Sequence, residues 1–279
     1  MKHSDTDIKK QVRDRYAQAA TEGSSCCAPK TCGCGDAGPD GEKASLKVGY
    51  SPEELGDIPE DANLGLGCGN PSALAALRAG ETVLDLGSGA GIDCFLAARK
   101  VGPSGRIIGV DMTPEMIDRA RENVRRSGAA NIEFRLGEIE NLPVADGSVD
   151  VIISNCVINL STDKPRVFRE ALRVLRPGGR IMISDLALLA PLPKAVRESV
   201  EAYVACVAGA LPKEDYLAAL RAAGFKKVEV VKETAFPPEL VLEDSLAPEV
   251  LAKLNIPAEE LEAHISSVVS LNISAVTPA

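Results

Sequence analysis

The feature that most narrows the fold of this chain is the run Val83-Leu84-Asp85-Leu86-Gly87-Ser88-Gly89-Ala90-Gly91. There an apolar stretch ends in three glycines at alternate positions. The apolar residues read as a short buried strand, and residues 91–100 read as a helix. A strand that turns through glycines into a helix is a unit of the open α/β sheet, whose ligands sit at the carboxyl ends of the strands. Glycine at 87, 89 and 91 permits a tight turn and close approach of backbone to a ligand. An isolated G-x-G-x-G is usually no more than a turn, so its context has to decide.

The context is a regular alternation of strands and helices. RIIGVDM (106–112), IEFRLG (132–137), VDVIIS (149–154) and RIMISDL (180–186) read as four further strands. Helices are predicted over 114–127, with Thr113 as its cap and Pro114 at its first position, and over 164–176, closed by Pro177-Gly178-Gly179. Connections of this length are too long for hairpins and predict a parallel sheet covered on both faces. Farther on, helices are expected at 192–209 and 213–223, and a strand at 226–233. A helical stretch near 248–264 and a strand at 268–276 then suggest a small appended α+β subdomain. Ahead of the core, residues 5–20 read as an amphipathic helix with Ile8, Val12 and Tyr16 on one face. Residues 21–45, rich in Gly, Ser, Ala, Cys and Pro, are expected to be a mobile loop. Three stretches follow: 1–48, a core over 49–234, and 235–279.

Composition limits the partners. The 279 residues carry a net charge of −9. That balance argues against nucleic acid and against an electrostatic membrane anchor. The polar start MKHSDTDIKKQVRDRY is not followed by an apolar signal region, and no stretch reaches the ~20 apolar residues of a spanning helix. A cytoplasmic protein is expected. In a reducing compartment its eight cysteines should be thiols, metal ligands or transient disulfides. Cys26, Cys27, Cys32 and Cys34 form a cluster that could ligate zinc, although C-C-x4-C-x-C is not a standard zinc spacing. Cys94 reads as a core residue. Cys206, on a predicted apolar helix, reads by itself as a small buried hydrophobe. Cys156 lies just past the fourth strand, at the sheet's ligand-binding end. Cys68 lies between glycines in GLGCGNP, which suits a loop over a site.

Asp111 closes the second strand, where a carboxylate can accept both hydroxyl protons of a ribose. That feature alone allows a dinucleotide. However, DLGSGAG lacks the G-x-G-x-x-G fingerprint and resembles the D/E-x-G-x-G-x-G form of class I methyltransferases. Glu138-Ile139-Glu140-Asn141-Leu142-Pro143 and LRVLRPGGRIMISD (172–185) are similar to that superfamily as well, over about residues 70–230. The resemblance implies a Rossmann-like sheet and S-adenosylmethionine as cofactor. It implies donor-binding roles for Asp85, Gly87, Ser88, Gly89, Gly91, Asp111, Met112, Glu138, Ile139 and Asn155.

The text around the cysteines is more specific. SNCVINL followed by DK, GLGCGNP ahead of DLGSGAG, and a late C-x-AGAL together resemble the arsenite methyltransferases, over nearly the whole chain. In that family the cysteines at the positions of Cys68, Cys156 and Cys206 bind trivalent arsenic, and a fourth functional cysteine lies near the N-terminus, here Cys26 or Cys27. The residue types suit the chemistry, because trivalent arsenic is soft and prefers thiolates. The arsenic lone pair is the nucleophile, so no general base is required, and His3 and His264 lie near the ends of the sequence. The expected work is positioning and desolvation. The substrate would be arsenite or its thiol conjugates. A thiol reductant, thioredoxin or glutathione, would be the co-substrate. Two alternatives stay open: a methyltransferase for an organic small molecule such as a quinone precursor, and a thiol-rich protein that sequesters soft metals.

Overall fold

A computed structural model of the chain describes residues 4–22, 38–71, 76–235 and 266–279. Its centre is one mixed sheet in the order β3-β2-β1-β4-β5-β8-β7. The strands are β1 (Thr82–Leu86), β2 (Arg106–Asp111), β3 (Ile132–Leu136), β4 (Val149–Asn155), β5 (Leu175–Leu188), β7 (Lys226–Ala235) and β8 (Val268–Val276), with the short β6 (Leu211–Pro212) paired to the end of β5. β1 to β5 are mutually parallel, as their alternation with helices predicts. The order reverses between β1 and β4, which opens a crevice at their carboxyl ends.

Helices cover the sheet through narrow apolar stripes. In α6 (Lys164–Val174) the buried residues include Val167, Phe168, Ala171 and Val174, an i, i+1, i+4, i+7 spacing that presents one face. Phe168 meets Tyr216 of α9 (Lys213–Ala223) edge to face at 5.7 Å. α4 (Ile92–Val101) and α5 (Pro114–Ser127) pack with Val83, Ile107, Ile132 and Phe134 as a second core. Arg180 of β5 pairs with both carboxylate oxygens of Glu81, the residue before β1.

Several boundaries differ from the sequence reading. Pro177-Gly178-Gly179 does not close a helix; it lies inside β5 as an irregularity between the Val149–Leu175 and Val151–Arg180 pairs, where Gly178 takes a φ of 73°. The predicted helix over 192–209 is two short pieces, α7 (Lys194–Arg197) and α8 (Val200–Val204). It stops there because Cys206 turns left-handed at φ 64° and a side chain at Gly209 would collide with the Asn159 carbonyl. Part of the predicted mobile loop is helical: α2 spans Gly38–Lys47 and is followed by the capped turn α3 (Pro52–Gly56). Glu42, Lys43, Ala44, Leu46 and Lys47 are good helix formers, and they outweigh the glycines.

The strand at 268–276 forms as expected, but it does not stand apart. β8 is antiparallel to both neighbours and fills the sheet between β5 and β7. Its residues from Val268 to Ile273 are buried without alternation, as befits a strand covered on both faces. The helical stretch expected near 248–264, and Cys26, Cys27, Cys32 and Cys34, lie outside the described residues. Among the described residues no helix is long and apolar enough to cross a membrane.

Candidate active site

The crevice at the β1–β4 reversal opens into a cleft lined by the glycine loop, Asp111, Ile139 and Asn155. One wall is the glycine loop. Gly87 (φ 68°) and Gly89 (φ 51°) both sit in the left-handed region, and a side chain at Gly87 would drive into Val157. At Gly89 the nearest atom to an added Cβ is Met116 Sδ at 3.9 Å, so that face of the turn is open. Ser88 is buried, and its hydroxyl has no hydrogen-bond partner. An orphaned buried hydroxyl in a cleft wall fits a polar ligand that would complete it.

Asp111 holds the turn in place. One carboxylate oxygen accepts the Gly89 N–H at 3.0 Å and the other accepts the Thr113 N–H at 2.8 Å. Each oxygen keeps a lone pair for a ligand hydroxyl. Asp85 and Asp93 lie behind the same loop. Burial and the Asp93 charge push Asp85 well above the usual carboxylate range, while the Cys94 thiol, donating at 3.3 Å, opposes the rise. Burial raises Asp93 to about 6. The Asp93 and Asp111 carboxylates beside one cleft favour a cationic ligand and disfavour a pyrophosphate. Cys94 is fully buried, in agreement with its reading as a core residue.

Cys156 lines the same cleft, and Cys68 and Cys206 lie against it. Cys156 directly follows β4 in a left-handed conformation, φ 58°, and its N–H donates to the Ser184 carbonyl at 2.8 Å. Cys68 reaches it from the loop ahead of β1, with Cα atoms 5.7 Å apart, and the two are joined as a disulfide. Cys206 arrives from the turn after α8, its Sγ 3.2 Å from the Cys156 carbonyl oxygen. It is not on a helix, as its apolar surroundings suggest, but at the left-handed corner that ends one. Burial and the Asp185 charge push its thiol up to about 12, opposed by Tyr16 and the Lys164 ammonium. With Cys68 and Cys156 bonded to each other, no trio of His, Cys, Asp or Glu among the described residues is arranged to hold a metal ion as it stands.

The helix expected over 5–20 forms and covers the cleft. α1 (Asp5–Glu22) lays Ile8, Val12 and Tyr16 on the apolar cluster that contains Cys68, Cys156, Cys206 and Met112. Its Lys9 bridges Glu138 at 2.8 Å and Glu140 at 3.1 Å. Glu138 is thus engaged by α1, whereas Ile139 and Met112 line the cleft directly. Asn155 lines it too, but its amide is committed to the Cys68 loop. Ser270 of β8 also reaches that loop, donating to the Cys68 carbonyl at 2.9 Å. The period-2 pattern of VVSLNISAV carries no signal for such a contact.

Residues 77–224, more than half of the chain, match the family model described as a methyltransferase domain. An arsenite methyltransferase of Halobacterium salinarum is 53% identical over 80% of this chain, and the match spans 59% of that relative's length. An arsenite methyltransferase of Aquipseudomonas alcaligenes is 41% identical over 73% of this chain, again spanning 59% of the relative. Among solved structures, an arsenic(III) S-adenosylmethionine methyltransferase from Chlamydomonas reinhardtii is 32% identical with a TM-score of 0.60. That match covers 86% of this chain and 74% of the other. The α/β sheet, the glycine loop at its switch point and these matches lead to one statement of descent: the chain belongs to the class I methyltransferases and, within them, to the arsenite S-adenosylmethionine methyltransferase family.

Proposed function

We propose that this chain transfers methyl groups from S-adenosylmethionine to trivalent arsenic held by Cys68, Cys156 and Cys206, giving methylated arsenicals and serving arsenic detoxification. The observation that carries the reading is the meeting of three cysteines, from three separate chain segments, beside the cleft: Cys156 lines it, and Cys68 and Cys206 lie against Cys156.

The donor supplies an electrophilic methyl group on a sulfonium cation. Asp85, Asp93 and Asp111 give its cleft an acidic lining, Ser88 offers an unused hydroxyl, and Ile139 and Met112 offer apolar surface. On the acceptor side, arsenite exchanges three hydroxyls for three thiols. Each thiol proton leaves with a hydroxide as water, so the high pKa of the buried Cys206 is no obstacle to the overall exchange. The apolar cover of Val12, Leu160 and Tyr16 keeps bulk water off the arsenic lone pair. Cys68 and Cys156 can bind arsenic only after their disulfide has been opened by an external dithiol such as thioredoxin, or by glutathione. Methylation leaves arsenic formally pentavalent. Two electrons and two protons return it to the trivalent state, and a thiol pair closing to a disulfide supplies both. Cys68 and Cys156 are one pair within reach; Cys26 or Cys27 would supply another partner.

The test is to incubate the purified chain with arsenite, S-adenosylmethionine and a thiol reductant, and to separate the arsenic species by chromatography. Methylated arsenic that disappears in Cys206→Ser is expected. Absence of methylated arsenic from the unaltered chain, with donor binding intact, would overturn the reading.

A further inference from the structure

One side chain ties the helix that follows the glycine loop to the Cys68 loop: Asn155, the last residue of β4. Its Oδ1 accepts the Cys68 N–H at 3.0 Å. Its Nδ2 donates to the Gly69 carbonyl at 2.8 Å, to the Tyr50 hydroxyl at 2.9 Å and to Asp93 at 3.1 Å. The amide therefore grips the backbone on both sides of the Cys68 side chain. Its orientation is forced. A backbone N–H can only donate, so it must face the amide oxygen; an ionised carboxylate can only accept, so it must face the amide nitrogen. Tyr50 strengthens the arrangement, since its hydroxyl donates to Asp93 at 3.0 Å while accepting from Asn155.

The loop is shaped for this grip. A Cβ at Gly67 would lie 2.7 Å from Asn155 Nδ2, and one at Gly69 would lie 2.8 Å from Ser184 Oγ. The glycines flanking Cys68 let the loop descend onto β4 and β5. The far side of the Cys68 peptide is held by Ser270. Without these ties a loop with glycine on both sides of its cysteine has many conformations, and few of them bring Cys68 to Cys156.

We propose that Asn155, oriented by Asp93 and Tyr50, is a positioning residue that holds Cys68 in place as the third thiol for arsenic. The inference rests on the reading of the site given above. It predicts that the residue next to Cys156 acts on Cys68, 87 positions away in sequence. Asn155 thereby serves the acceptor rather than the donor.

The experiment compares Asn155→Ala, Asn155→Asp and Ser270→Ala with the unaltered chain, after reduction, using arsenite as the probe. X-ray absorption counts sulfur neighbours of bound arsenic, arsenite titration gives its affinity, and calorimetry gives the affinity for S-adenosylmethionine. For Asn155→Ala the expected result is a fall from three sulfurs to two and arsenite binding weakened by about tenfold, with donor affinity unchanged. Asn155→Asp keeps the acceptor for Cys68 and should fall between. Ser270→Ala removes one tie from the other side and should lose least. Thermal melting identifies any variant that fails to fold, and Asn155→Asp and Ser270→Ala keep the question answerable if Asn155→Ala does. Three sulfurs retained in Asn155→Ala and Asn155→Asp, or a loss confined to donor affinity, would overturn the inference. Failure of the unaltered chain to bind arsenite through sulfur would instead remove the proposed function itself.

Discussion

The two walls of the cleft are built in opposite ways. The wall proposed for the donor is local: Asp85, Gly87, Ser88, Gly89 and Gly91 lie within seven consecutive residues, and Asp111 ends the adjacent strand. Backbone geometry does most of its work, through left-handed glycines and N–H groups tied to one carboxylate. The wall proposed for the acceptor is assembled from distant segments: the Cys68 loop, the end of β4, the corner at Cys206, and β8, with α1 laid across them. Side chains and tertiary packing place it. The donor wall should accordingly tolerate damage to the acceptor wall, while any fault in packing should reach the cysteines first.

The largest expected effect puts that independence at risk directly. Cys156→Ser should abolish arsenic methylation in a speciation assay while S-adenosylmethionine still binds in a calorimeter. A simultaneous loss of donor affinity would show that the walls are not separable. The converse is Asp111→Ala, which frees the Gly89 and Thr113 N–H groups. Donor affinity should fall by about tenfold or more, with arsenite titration little altered.

Packing offers a third way to sharpen the contrast. Phe168→Ala empties a fully buried site against Tyr216 and should cost about 3–5 kcal/mol in denaturant unfolding. Cysteine reactivity should rise at lower denaturant than donor binding is lost. Simultaneous loss of both would mean that the sheet opens as one unit.

A smaller effect concerns pH. Asp185 of β5 is raised to about 7 by burial, against hydrogen bonds from Tyr216 and the Leu186 N–H, the backbone of Asn159 and the nearby Lys164 ammonium. Its folded pKa lies above the usual 3.8, so the folded protein holds the extra proton. Its contribution to stability is fully present below about pH 4 and is lost as pH rises through about 7. Asp185→Asn should therefore melt a few degrees higher than the unaltered chain at about pH 8 and show no gain at about pH 4. A gain that is equal at both pH values would remove the titration argument. Least of all, Ser88→Ala should leave the melting temperature unchanged, because the hydroxyl has no partner to lose, while weakening donor binding measurably.

The same division governs what the sequence discloses. β1 to β4 and the glycine turn are legible because period, glycine and capping signals are short-range. β5 is longer than its apolar run, since Pro177-Gly178-Gly179 signals a turn locally but is accommodated as an irregularity between paired strands. The helix predicted through Cys206 breaks because Gly209 must press against the Asn159 carbonyl, a contact with no local signature. Similarly, no periodicity reveals that VVSLNISAV belongs between β5 and β7. The three cysteines were recognisable from their resemblance to a family. Their meeting, the grip of Asn155 and the cover of α1 are long-range facts that only the folded chain displays.

The insertion of β8 has a consequence for the order of events during synthesis. Every strand of the donor wall leaves the ribosome more than a hundred residues before Val268 does. Until Val268 and the residues after it are made, the Cys68 carbonyl lacks its Ser270 partner and β5 lacks its antiparallel neighbour. During that interval Cys68 is held from one side only, and Cys156 and Cys206 border an incomplete sheet. The Cys68 loop thus gains its Ser270 tie only from the strand synthesised last, the one that joins β5 to β7.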